Sequence, residues 1–288
     1  MQGLACAIGN QHGRGDEAIV MLRETLSILE RKDLAACDDD LARTLNSLSV
    51  YLLKRDPHDA DSQREGEEML IRAVRMMRRV RSGDDRLLAL TLANAAEQLA
   101  RRGHLDEAEE RGREALAMLR RLPPVHLDDD IRATIMLAEI LRSRAAALDR
   151  DSHQRRAKFK EVVELYHGAI ALMEDHDAAS QRGWAALRIN CATALIQLGR
   201  DREAEVMVRR AMAIAQTVTV GLLVTRADYA EMQLVLAQSL LLQKKYGAGG
   251  SEAYGALCKF YWLRDATKAL QAFDVYKTAC FARRQYDG

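Results

Sequence analysis

Small residues recur along this 288-residue chain at steps too regular to be accidental. One series runs Thr25, Ala73, Ala115, Ala169, Ala211 and Ala256, at successive intervals of 48, 42, 54, 42 and 45 residues. A second series runs Ser49, Ala96, Ala138, Ala192 and Ala237, at intervals of 47, 42, 54 and 45. Two registers that keep step define an internal repeat. Periods of this size mark arrays in which each unit stacks on the next. Two antiparallel helices approach closely only where side chains are small, and alanine permits that without loss of helix propensity. The chain is therefore constrained to a row of helical hairpins.

The stretch RRGHLDEAEERGREALAML (101–119) shows one unit: a turn glycine, acidic residues, an alanine, then a helix. GRGDEAIVMLRETLSIL (13–29) and GRDREAEVMVRRAMAIA (199–215) share that layout. FKEVVELYHGAIALM (159–173), REGEEMLIRAVRMM (64–77) and GGSEAYGALCKFYWL (249–263) are more divergent copies. Leu92 and Leu99 around Ala96, and Leu137 and Leu141 around Ala138, supply the apolar stripe of the preceding helix. Gly13, Gly103 and Gly199 are placed to end the first helix of a pair, where a left-handed residue is wanted. The spacing predicts repeats near 3–35, 38–81, 85–122, 128–175, 180–217 and 225–263, an array over 1–263, and a capping helix and tail over 264–288.

The set Ala96, Gly103, Ala108, Ala115, repeated as Ala192, Gly199, Ala204, Ala211, resembles the tetratricopeptide repeat. The usual unit has about 34 residues. The base interval here is 42, which makes the chain similar to the kinesin-light-chain-like type. The resemblance implies an all-α fold: a tetratricopeptide-like right-handed α-solenoid of about six helical hairpins plus a C-terminal helix. Gly112 stands where an aromatic is common in the second helix. KRDPHDADSQ (54–63) reads as an inserted loop around Pro57. In RSRAAALDRDSHQRRAKFK (142–160), residues 142–149 are expected to lengthen the first helix before a charged turn. Residues 3–12 leave room for a short first helix only. Its abrupt start fits a divergent beginning, an array that once continued upstream, or an end covered by another chain as a subunit of a larger assembly.

The 43 basic and 42 acidic residues leave a formal charge of +1, without the basic excess of a nucleic-acid binder. Five scattered cysteines with no C-x-x-C pair point to a reducing compartment, and the cytoplasm is the simplest reading. No apolar run reaches the ~18–20 residues of a membrane span. Asp38–Asp40, Asp84–Asp85 and Asp128–Asp130 each open the first helix of a repeat, so capping and the helix dipole account for them better than a metal. The seven histidines show no ligand spacing. In RLPPVH (121–126), Arg121 and His126 have a spacing used by some helical ribonucleases, but Pro123 and Pro124 break the helix such a site needs. Gly247–Gly250 lack the strand and lysine of a phosphate loop and read as a hairpin turn. No catalytic residue, cofactor or metal is expected, and the reading is of a protein that is not an enzyme.

What remains is surface. The resemblance places the first helices along an inner groove, faced by Arg43, Asn46, Val50 and Lys54, then by Leu90, Ala93, Glu97 and Arg101. Arg132, Ile135, Glu139 and Arg142 follow, then Ala186, Ile189, Thr193 and Gln197, then Glu231, Leu234 and Gln238. Relatives that clamp a peptide carboxylate use a Lys/Asn/Arg set. Asn46 and Lys54 would supply part of one, and Glu97 and Glu139 would oppose it. The mixture suits an extended peptide or a partner helix.

Nine of fourteen aromatic residues lie after Lys245. DATKALQAFDVYKTACFARR (265–284) reads as an amphipathic helix with Ala269, Phe273, Tyr276 and Cys280 at helical spacing. Phe260, Tyr261, Trp262, Phe273 and Tyr276 either close the last core or anchor a partner or second copy. The functional expectation is a non-catalytic scaffold or adaptor with a protein or peptide partner. The alternatives are a regulatory repeat domain that senses a peptide or ligand and, third, an enzyme whose site is assembled across repeats.

Overall fold

A computed structural model describes residues 3, 7, 14–31, 38–56, 58–80, 83–123, 127–175, 181–217 and 226–286. Among them are twelve α-helices and no strand, the architecture of an all-α solenoid. They are α1 (Gly15–Arg31), α2 (Asp38–Arg55), α3 (Ala60–Val80), α4 (Arg86–Arg101), α5 (Leu105–Arg121) and α6 (Leu127–Ala146). Then come α7 (His153–Asp175), α8 (Gln181–Gln197), α9 (Asp201–Thr217), α10 (Arg226–Leu242), α11 (Tyr246–Trp262) and α12 (Ala266–Tyr286). Two compact units divide the chain at Ile140/Leu141. Of the expected first helix, Gly3 and Ala7 are helical, and the rest of 3–12 lies outside the described residues, as do Gly13 and His126.

In the first unit, α2 pairs with α3 and α4 with α5. Ile19, Leu22, Leu45, Leu48, Leu52 and Ala73 form one core from three consecutive helices. Gly66 on α3 is required by packing: a Cβ there would lie 2.7 Å from Leu53 Cγ. Ala96 and Ala108 are fully buried and meet in one cluster with Ile140 of α6. The expected aromatic position, Gly112, is filled from outside, because a Cβ would stand 3.3 Å from Leu137 Cδ1.

In the second unit, α8 pairs with α9, α10 with α11, and α12 lies along α11. Leu234, Ala256, Phe260 and Ala272 form the last core. Four hairpin turns share one construction. The amide of His104 donates to the Leu99 carbonyl at 2.9 Å, and that of Gly103 to Ala100 at 3.1 Å. The same two bonds recur from Arg200 and Gly199, from Lys245 and Lys244, and from Asp265 and Arg264. This is the Schellman arrangement, which needs a left-handed residue after the helix. Gly103 and Gly199 meet that need with φ of +84° and +71°. Lys244 and Arg264 adopt φ of 61° and 57° despite their Cβ.

That last pair corrects a sequence expectation. Gly247–Gly250 are not a turn but lie within the first turns of α11. Gly249 and Gly250 are buried there, and a Cβ on Gly249 would sit 3.2 Å from the Ala237 carbonyl oxygen. The inserts are also shorter as loops than expected. α3 starts at Ala60, within the 54–63 stretch, and α7 starts at His153, with α6 ending at Ala146. Arg155 donates to the carbonyls of Ala145 and Leu148 at 3.3 and 3.1 Å, closing the lengthened helix.

Candidate functional site

The acidic runs have more partners than capping requires. Asp85 does accept from the Leu88 amide as an N-cap. Asp38 is paired with Arg79 at 2.8 Å, and Asp84 takes both Nε and Nη2 of Arg121 at 2.7 Å. The buried Asp129 accepts from Arg86 Nε at 2.6 Å. Arginine clamps from adjacent helices thus hold these carboxylates. Among the described residues no group of three or more His, Cys, Asp or Glu converges as a metal site. Arg121 itself is committed to Asp84.

The first-helix residues divide by surroundings. In the first unit Asn46 receives a hydrogen bond from Asn94 Nδ2 at 3.1 Å, so α2 and α4 present a joined polar strip. Sequence reasoning placed Ala93 there and missed Asn94. The first-helix step from Ser49 to Ala96 is 47 and carries Asn46 onto Ala93, one residue short of Asn94, although Asn190 does follow Asn94 by 96, the step from Ala96 to Ala192. Arg43 is exposed but tied to Asp39 at 3.0 Å. Lys54, Glu97, Arg101 and Arg132 are exposed, and Val50, Leu90, Ala93, Ile135, Glu139 and Arg142 are half-buried.

In the second unit Ala186 is exposed, whereas Ile189 and Leu234 are buried and serve packing. Thr193 donates back to the Ile189 carbonyl at 2.9 Å, and Gln197 accepts from Arg155 at 2.9 Å. Glu231 is paired with Lys268 of α12, and Gln238 is half-buried.

The strongest electrostatic centre of this unit is Glu205. It accepts from Lys245 Nζ, Arg209 Nε and Gln243 Nε2, each at 2.9 Å, and these donors, Lys245 foremost, hold its carboxyl down to about 2. It joins α9 to the turn of the next hairpin. Cys191 is buried between helices, and desolvation pushes its thiol up to about 12, the state of an inert packing group.

A feature the sequence did not reveal lies where α3 meets α4 and α5. A cleft of about 570 Å³ is lined by Leu70, Ile71, Val74 and Leu99 together with Arg75, Arg111, Glu67 and Glu107.

The C-terminal aromatics split into two groups. Phe260 is buried, so it belongs to the core beneath the predicted surface and not to the surface itself. Tyr276 is half-buried, with its ring 5.6 Å from that of Tyr254. Tyr261 and Trp262 are 78% and 83% exposed, and Phe273 is 45% exposed. The buried line of α12 runs through Ala272 and Ala279, one step around the helix from the expected Phe273 and Cys280, which face outward.

No protein-family model matches the chain, and no curated protein matches it. Solved structures do. BtubC (BKLC) from P. vanneervenii is 17% identical, with 95% of this chain and 92% of that one covered at a TM-score of 0.61. A putative kinesin light chain from Podospora anserina, built of nearly identical tetratricopeptide-like repeats, is also 17% identical, with 76% and 95% covered at a TM-score of 0.57. The chain thus has the fold of tetratricopeptide-type repeat proteins, kinesin-light-chain-like structures among them, as the 42-residue interval implied. Among the described residues no helix is long and apolar enough to cross a membrane.

Proposed function

We propose that this chain is a non-catalytic protein-interaction scaffold of a reducing intracellular compartment, with one array over 1–263 and a cap over 264–288. It takes an extended peptide or partner helix along the first-helix faces or at the aromatic C-terminal end. The observation that carries this reading is the outward display of Tyr261 and Trp262, with Phe273 on α12 also half-exposed. Rings left in water have no use in the folded chain and are the residue types that dominate interface energetics. Along the first helices, exposed Lys54, Glu97 and Arg101 offer both charge signs beside the Asn46–Asn94 strip. That pattern suits a polar backbone better than a single terminal carboxylate.

The test is gentle purification of the native protein with mass spectrometry of what accompanies it. A stoichiometric protein lost on Trp262→Ala or Lys54→Glu supports the scaffold and locates its surface. A chain that comes down alone overturns it. A second reading, a ligand sensor, is favoured by the cleft between α3, α4 and α5, whose apolar side chains and mixed charged edge fit a small amphiphile. Small-angle scattering with and without such a molecule would show a change of compactness if that reading holds.

A further inference from the structure

α12 is packed on one side only. Its buried residues, Ala272 and Ala279, lie along one line, and its partly covered neighbours Ala269, Val275 and Tyr276 flank that line. At 100° per residue the opposite line carries Leu270, Asp274, Lys277 and Phe281, with Phe273 beside it. Leu270, Phe273 and Phe281 are 63%, 45% and 66% exposed. The outer line advances in steps of four, three and four, the spacing of a helix seam, with apolar groups at its two ends and charges between them.

The order of residues along the strip says which helix. Read from either end, it runs apolar, charged, charged, apolar: Leu270, Asp274, Lys277, Phe281. Laid antiparallel on itself about a two-fold axis between Val275 and Tyr276, each Leu270 faces Phe281 of the other copy and each Asp274 faces Lys277. Opposite charges meet at both central positions and apolar groups at both outer ones. Within one chain, Asp274 and Lys277 hold each other only loosely, at 3.6 Å with both side chains about two-thirds exposed, so both remain available. An isologous contact of this kind closes at two copies, whereas a heterologous one at a solenoid end would propagate.

We propose that the outer strip of α12 is a self-association surface that takes the same strip of a second copy of this chain, antiparallel, with Asp274 opposite Lys277 and Leu270 opposite Phe281. The proposal rests on reading the C-terminal end as an interaction surface, and it needs no foreign partner. Its failure is therefore distinct from that of the scaffold. Each side chain on the strip occurs twice in the dimer, so one substitution is felt twice.

Sedimentation equilibrium of the full chain is expected to give a dimer. Leu270→Glu should weaken it at least tenfold, with helical content by circular dichroism unchanged because the side chain is exposed. Asp274→Lys and Lys277→Asp should each weaken the dimer, since like charges then meet across the axis. The double swap, Asp274→Lys with Lys277→Asp, should restore it. A chain that stays monomeric at 100-micromolar order overturns the proposal, as does a dimer indifferent to Leu270→Glu or one that the charge swap fails to restore.

Discussion

Hairpin α4–α5 and hairpin α10–α11 have the same backbone plan, both reach their neighbours by ion pairs, and they differ in how their helices meet. The first brings its helices together at Ala96 and Ala108 and reaches its neighbours by ion pairs: Arg86 to Asp129, Arg102 to Glu67, and Glu114 to Arg78. The second brings its helices together at Gly249, under the Ala237 carbonyl, and fills the space beyond with Phe260. Both close through the same pair of turn hydrogen bonds. A hairpin with neighbours on both sides needs small residues at the contact and polar groups at the seams. In the second hairpin a large ring, Phe260, completes the core shared with α12, and Tyr261 and Trp262 stand in water.

The difference can be broken first at the contacts. Ala108→Glu should cost at least about 3–5 kcal/mol, because an unpaired carboxylate would replace a fully buried methyl. Gly249→Leu should cost about 3 kcal/mol through backbone displacement at α10. Urea titrations measure both. A loss below 1 kcal/mol for Gly249→Leu would show that the terminal hairpin does not depend on close backbone approach.

Next in size is Glu205, which does for the α9–α10 junction what the arginine clamps do in the first unit. Its carboxyl is lowered from an ordinary 4.5 to about 2, so its contribution is complete above pH 4.5 and disappears as pH falls from there towards 2. Glu205→Gln should remove on the order of 2 kcal/mol after allowance for solvent screening, and should flatten stability against pH in that window. An acid limb unchanged by the variant would show that the cluster adds nothing to the junction.

The turns sharpen the comparison on a smaller scale. Gly103→Ala and Gly199→Ala should each cost about 1 kcal/mol, whereas Lys244→Gly and Arg264→Gly should stabilise by up to about that amount. Thermal melts of the four variants give the signs directly. The smallest expected effect is that of Trp262→Ala, within about 0.5 kcal/mol, because the ring is almost wholly in water. A larger loss would mean that the ring serves the core after all.

The fold was legible because packing and turn chemistry both leave marks at fixed steps. Ala96, Ala108, Gly103 and their copies each answer one steric demand, and the 42-residue interval pointed to the kinesin-light-chain-like geometry. The terminal turn was misread because a glycine run outweighed Lys244, whose left-handed backbone no propensity announces. The α12 face was read one step off because Phe273 looks more like a core residue than Ala272 does. Against the tightly packed α11, the smaller residue wins. The surface was legible only in part. Exposed Lys54 and Trp262 follow from register, but the pairing of Asn46 with Asn94 and the cleft below Ile71 depend on where neighbouring helices settle.

The left-handed Lys244 and Arg264 bear on how such a chain drifts over generations. Where two hairpins already grip each other, losing the turn glycine costs only a fraction of the several kcal/mol that a damaged helix contact would. Turn glycines can therefore be exchanged one at a time while the small contact residues stay, and the written signature of the repeat wears away faster than its shape. The shape shared with BtubC over 95% of this chain at 17% identity shows how little of the written sequence that shape demands.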